Sequence, residues 1–308
     1  MLLDILIPTF NRGEDLLFNL NLLSDYISKI EHSNEIQIII SDNCSDDNTE
    51  QLVSTFKHNN PSLSIQYFRN SENIGLERNA VEVLSKSSAE YIMWLGDDDY
   101  LPNGYLAFIL KHIRDEELGF ILPRNINIVG RNEFETFASE NPTYETKKAG
   151  YQSMYEIGHF SHQMSGIVLR RENLLDKYLE KDNWRNVYLF MFFTNYCILN
   201  YNGIFVEDYK VSITQGNSKA WSYDKAGLLP EVYKSYYYFI EALGEEKVSN
   251  LIFDFTRRHT WRFGIQIFKP FSSFNRLNFL LYQTSDIDNI KNRLRKLFIK
   301  DYIYRIIQ

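Results

Sequence analysis

Residues 89–102 read AEYIMWLGDDDYLP. An apolar run suited to a buried strand, Tyr91-Ile92-Met93-Trp94-Leu95, passes through one glycine, Gly96, into Asp97, Asp98 and Asp99. Three adjacent carboxylates repel one another, and at the end of a buried strand they are also partly desolvated, so keeping all of them ionised is costly. A loop that only capped the strand would spread its charges or interleave Lys and Arg. A hard divalent cation offsets the cost, because Mg2+ or Mn2+ is held by one or two carboxylates together with substrate phosphates rather than by a full protein cage.

Around this stretch the first 122 residues alternate short apolar strands with amphipathic helices. Strands are expected at 2–7, 36–41, 65–68, 91–95 and 119–122, and helices at 14–30, 46–58, 76–85 and 103–115. Strands separated by helices of this length predict an α/β fold with a mainly parallel sheet and right-handed crossovers. Ligands of such sheets bind outside the carboxyl ends of the strands. Those ends are followed by Pro8 to Arg12, by Asp42-Asn43, by Asn70 to Gly75 and by Gly96 to Asp99, four polar segments expected to meet at one edge. From 123 to about 150 no period is visible, and the stretch reads as either an acceptor-side loop or an insertion. A strand at 166–170 and a helix near 188–199 complete the first domain.

The 308-residue chain is long enough for one large or two modest cores. Its 44% hydrophobic and 24% charged residues, with 22 Phe and 21 Tyr, make a globular composition with a heavy aromatic load. Two cysteines, Cys44 and Cys197, suggest neither a disulfide framework nor a zinc site. MLLDILIPTF has no basic leader and reads as a first strand. The most apolar stretch, 188–206, is interrupted by three asparagines and a glycine, which favours a buried helix and a following strand over a membrane span. The net charge of −7 is uneven: residues 251–308 hold eleven Lys or Arg against four Asp, a net of +7, leaving −14 for the first 250. A basic, aromatic-rich tail on an acidic body suits an anionic membrane surface or, equally, a helical dimerisation module. No Walker loop or GxGxxG opens a helix, which argues against an ATPase or a dinucleotide enzyme, and six scattered histidines do not make a metal phosphoesterase.

Four blocks in order, LDILIPTFNRGEDL, IIISDNCSDDNTEQL, NSENIGLERNA and IMWLGDDDYLPNGYL, resemble the successive motifs of the family 2 glycosyltransferases. The resemblance covers roughly residues 1–215 and implies a GT-A fold there, with 216–227 as a lid or linker and 228–308 as a helical C-terminal segment. It implies that Pro8, Thr9, Asn11 and Arg12 line a nucleotide, that Asp42 contacts the base, and that Asn73, Gly75 and Arg78 close the base and ribose side. Asp97 matches the ribose-side position of the acidic motif and Asp98 the metal-binding aspartate, with Asp99 as the second candidate ligand for Mn2+ or Mg2+. Family members usually have an aspartate where this chain has Gly96.

The activity implied is inverting transfer of one sugar from a nucleotide-diphosphate sugar, a UDP-sugar foremost, to a glycan or lipid-linked saccharide of bacterial capsule or lipopolysaccharide. The QxxRW pattern of processive synthases is missing. The family's Glu-Asp base pair is also missing from LEKDNWRNVYLF, where Asp182, backed by Glu180, is the expected base; a helix cap is the plain alternative for Asp182. His162 is a candidate sugar contact beside His159, while Lys219 and Trp221 in NSKAWSYDK fit either a diphosphate lid or a linker. The expected location is the cytoplasm, peripheral at the inner face of the plasma membrane; a homodimer is the rival arrangement, and no nucleic-acid partner is expected. The alternative of another class is a catalytically silent nucleotide-sugar-binding scaffold.

Overall fold

The computed structural model describes residues 1–134, 142–215, 228–284 and 288–307. The strand LDILIPT, β1 (Leu3–Thr9), is apolar on both faces and lies between two parallel neighbours, the pattern of a strand covered by helices on both sides. The other strands are β2 (Ile36–Asp42), β3 (Ser64–Arg69), β4 (Tyr91–Trp94), β5 (Phe120–Ile128), β6 (Tyr144–Lys147), β7 (Val168–Arg170) and β8 (Gly203–Thr214). They form one sheet in the order β3-β2-β1-β4-β7-β5-β8-β6. The β3-β2-β1-β4 half is parallel throughout, whereas β7 runs antiparallel between β4 and β5. The α/β architecture expected from the alternation is therefore present.

Helices α1 (Gly13–Ser28), α2 (Thr49–Asn59), α3 (Leu76–Ser85) and α4 (Tyr105–Asp115) follow the first four strands in turn. Leu16, Leu20, Leu23 and Ile27 of α1 recur at helical spacing and are buried with β1 and β2 residues in one cluster. Each such side chain contributes about 1.5–3 kcal/mol on leaving water. The stretch without visible period holds the second half of β5, followed by β6, which pairs with β8 rather than with a sequence neighbour. Alternation fails there because the strands sit at the far side of the sheet and β6 is largely exposed.

The remaining helices are α5 (Tyr151–Ile157), α6 (Leu174–Leu179), α7 (Leu189–Asn200), α8 (Leu229–Tyr237), α9 (Ile240–Leu243), α10 (Glu245–Arg258), α11 (Pro270–Gln283) and α12 (Asp288–Ile307). Among the described residues no helix is long and apolar enough to cross a membrane. The chain divides into two compact units, Met1–Glu180 with Phe193–Ser218, and Lys181–Phe192 with Lys219–Gln308. Segment 181–192, which the sequence assigns to the first domain, thus groups with the helical unit. Hydrogen bonds account for this: Ser235 Oγ donates to Asn186 Oδ1 and to the Tyr188 carbonyl, each at 3.0 Å, and Arg262 Nη1 donates to the Tyr188 hydroxyl at 2.7 Å.

Within the helical unit, buried Asp254 on α10 accepts from Arg257 Nη2 at 2.7 Å and Arg258 Nε at 2.6 Å. Burial pushes its pKa up, but the two arginines outweigh this and hold it below the ordinary value. A carboxylate lowered on folding stabilises fully above its unfolded value of about 3.9, and loses that contribution as pH falls through the lower folded value. Asp254→Ala should cost about 1–2 kcal/mol at neutral pH, the arginines being half-exposed. Urea unfolding followed by helical circular dichroism should show the gap between variant and wild type shrinking as the pH falls below the unfolded value of about 3.9.

Candidate active site

The expected meeting of four strand ends is realised in the first unit through side-chain hydrogen bonds. At the end of β1, Thr9 Oγ1 donates to Asp97 Oδ2 at 2.8 Å. Arg12 reaches the same turn, 3.5 Å from Asp97 Oδ1 and in direct contact with Asp98 Oδ2. Pro8 is tolerated in a central strand because the β1–β4 ladder ends at Leu6. Burial pushes Asp97 up to about 7; the Asp98 and Asp99 charges add to the rise, and Arg12 and the Thr9 hydroxyl oppose it. Desolvation works against the Arg12 charge, yet Asp97 and Asp98 hold its pKa above the usual value.

Asp99 takes a different course from its two neighbours. It accepts from the Ser165 hydroxyl on Oδ2 and from the Thr214 amide on Oδ1 at 3.0 Å, so it ties the loop before β7 and the end of β8 to the turn. Asp98 consequently shares a cationic partner with Asp97 rather than with Asp99, the second ligand expected from the sequence. A Cβ at Gly96 would lie 2.7 Å from Asp99 Oδ2 and 3.3 Å from Ser165 Oγ. An aspartate at this position, as is usual in the family, would crowd the Asp99–Ser165 hydrogen bond. Asn19, buried on α1, closes the turn from below by donating to the carbonyls of Gly96 at 3.0 Å and Asp99 at 2.9 Å. Ser165, Thr214 and Asn19 were not anticipated; an asparagine inside the apolar face LLFNLNLL was the one available signal.

On the β2 side, Asn11 adopts φ 53°, a left-handed conformation that asparagine accepts readily. Its amide donates to Ser45 Oγ at 2.8 Å and its side-chain oxygen accepts from the Asp46 amide at 2.7 Å. Asp42 is wholly buried and accepts from the Ser45 amide (2.9 Å), the Ser45 hydroxyl (2.6 Å) and the Tyr67 hydroxyl (2.6 Å). The base contact expected of it is not open in this arrangement, because the side chain has no exposed surface and its oxygens face Ser45 and Tyr67. Burial and then Asp42 itself push the Tyr67 phenol well above its ordinary value, so the proton stays on tyrosine. Asn43 Nδ2 donates to Asn73 Oδ1 at 2.8 Å, and Asn43 Oδ1 accepts from the Ile74 amide at 2.9 Å, joining the β2 end to the loop before α3. Gly75, at φ 85°, opens α3, and Arg78 is exposed on it.

The expected base residues fall in different units. Glu180, at the end of α6, pairs with Lys177 at 2.7 Å; Asp182 begins a 3-10 turn, pairs with Arg185 at 3.5 Å and has a side chain 82% exposed. His162 is half-buried, with Nδ1 2.8 Å from the His159 carbonyl. Lys219 and Trp221 lie outside the described residues. No cluster of three or more His, Cys, Asp or Glu side chains suited to a metal occurs among the described residues. Asp97 and Asp98, held against Arg12, nevertheless fit a cation that completes its shell with phosphate oxygens.

Residues 4–179 match the sequence model of glycosyl transferase family 2. The chain belongs to this family. Among curated relatives, abequosyltransferase RfbV of Salmonella typhimurium is 35% identical over 37% of this chain and 33% of its own length. A GalNAc(5)-diNAcBac-PP-undecaprenol beta-1,3-glucosyltransferase of Campylobacter jejuni is 30% identical over 35% of this chain and 33% of its own. The match thus spans about a third of each relative's length. The structure of Staphylococcus aureus TarS 1–349 with UDP-GlcNAc superimposes with TM-score 0.68 at 14% identity, covering 100% of this chain and 93% of that one, which supports the GT-A fold. As a family 2 member, this chain departs from the usual acidic motif at Gly96. Gly96→Asp should therefore damage rather than restore the site, lowering stability by about 1–3 kcal/mol through overpacking and weakening nucleotide diphosphate binding. Thermal melts and nucleotide titration check both outcomes.

Proposed function

We propose that the protein is an inverting, metal-dependent glycosyltransferase that moves one sugar from a nucleotide-diphosphate sugar, a UDP-sugar foremost, to a glycan or lipid-linked saccharide during bacterial surface polysaccharide synthesis. The observation that carries the reading is the Thr9–Asp97–Arg12–Asp98 cluster at the carboxyl ends of β1 and β4, beside the asparagine-rich loops that follow β2 and β3. The donor class is supported by the UDP-GlcNAc bound in TarS, and the lipid-linked acceptor by the undecaprenol named for the Campylobacter relative.

In this reading Asp98, with Asp97 beside it, would hold Mn2+ or Mg2+, and the ion would supply positive charge to the diphosphate that leaves. Arg12, already poised at the two carboxylates, exchanges part of its contact with them for the diphosphate. Asn11 and Asp42 keep the base-side loops fixed, so the donor is oriented without ordering them on binding. Asp182 removes the acceptor proton.

Transfer and donor hydrolysis with Mn2+ across a panel of nucleotide sugars test the reading. Asp98→Asn should abolish turnover with at least one donor and remove metal-dependent nucleotide diphosphate binding, and undiminished activity would refute the assignment. Asp182→Asn should lower kcat by about 10² to 10⁴ with donor affinity retained. Loss in Glu180→Gln instead would move the base two residues earlier. Nucleotide-sugar binding without turnover by the wild type would favour the silent scaffold.

A further inference from the structure

The two last helices expose apolar side chains that no packing explains. Phe268 and Phe271 are 97% and 81% exposed at the start of α11, and Tyr282 near its end is 76% exposed. At about 100° per residue, Phe271 and Tyr282 fall on one line of the helix, with Phe274 and Phe279 flanking it. The opposite side is the buried one, carrying Ser273, Leu277 and Leu280. On α12 the buried side carries Ile290, Leu294 and Phe298, and Ile299, Ile303 and Ile306 form an exposed line. Apolar residues thus occupy both sides of α12, only one of which is covered.

The two exposed lines face the same way. Phe274 packs on Phe298 at 5.4 Å and on Tyr302 at 5.5 Å, while the Tyr302 hydroxyl donates to the Ile267 carbonyl at 3.5 Å. Higher residues of α12 therefore lie opposite lower residues before and within α11, which makes the pair antiparallel. In both helices the exposed line lies roughly a quarter-turn beyond the contact line in the direction of increasing residue number. For two antiparallel right-handed helices these quarter-turns lead to the same side.

Among the described residues of α11 and α12 the exposed charges have one sign. Arg295, Lys296 and Lys300 are exposed within about a quarter-turn of the apolar line of α12, and exposed Lys269 precedes α11. No Asp or Glu occurs between Lys269 and Gln283, and between Asn289 and Ile307 the lone acid, Asp301, is bound to Arg305 at 2.9 Å. A symmetric contact with a second copy would bring this cationic surface against itself. A bilayer with anionic headgroups instead matches both properties, taking aromatic and isoleucine side chains into its interface and lysines into its surface potential.

We propose that the exposed face of α11 and α12 is a docking surface for an anionic lipid bilayer. The inference stands apart from the transferase reading, because the test offers vesicles without sugar donor or acceptor. The full chain should co-sediment with phosphatidylcholine vesicles containing about a third phosphatidylglycerol, at least about tenfold more tightly than with phosphatidylcholine alone, and the binding should weaken as salt rises. Phe271→Ser with Tyr282→Ser, and separately Lys296→Glu with Lys300→Glu, should each lower binding about tenfold with an unchanged circular dichroism spectrum. Absence of binding at low salt overturns the proposal, as does equal binding by the charge-reversed variant. Dimerisation abolished by the Phe271/Tyr282 pair, without vesicle binding, would assign the face to a second copy.

Discussion

The hydrogen bonds of one carboxylate, Asp99, organise the site. By accepting from Ser165 and from the backbone of Thr214, it splits a run of three like charges so that one braces β7 and β8 and the other two meet Arg12. Asp97 and Asp98 can then share Arg12 in place of competing with a third neighbour. Elements distant in sequence, α1 through Asn19 and β8 through Thr214, come to bear on a four-residue turn.

A second constraint works on the β2 side, where a buried carboxylate is again satisfied by neutral donors. Asp42 is held by hydroxyl and amide groups, with Arg69 no closer than 3.9 Å. Polar groups buried at this depth are costly unless bonded, and a network satisfied at every member defines one loop conformation. The left-handed backbone at Asn11 and at Cys44, φ 53° and 66°, accompanies the same network, in which the Asn11 amide reaches Ser45 Oγ and the Asp46 amide reaches Asn11 Oδ1.

Much of this was legible in the sequence. The parallel half of the sheet, each of its strands and the convergence of their polar ends follow from alternation of strands and helices, because every element there is covered on the side that the pattern marks as apolar. Legibility ended where burial depends on a distant partner. β6 reads as polar because it is exposed, and its pairing with β8 leaves no local trace. Segment 181–192 runs into α7, which begins within it at Leu189, so its allegiance to the C-terminal helices rests on a few hydrogen bonds that periodicity does not reveal. The aspartate run marks three crowded carboxylates but cannot say which of them is taken by Ser165, 66 residues away.

The crowding at Gly96 also orders the routes by which this sequence can change. A side chain there and the Asp99–Ser165 hydrogen bond occupy the same space, so positions 96, 99 and 165 cannot drift independently. A larger residue at 96 requires the Asp99 carboxylate to give way, and with it the brace on the loop before β7. Related sequences should accordingly fall into two groups at these three positions, with few intermediates between them.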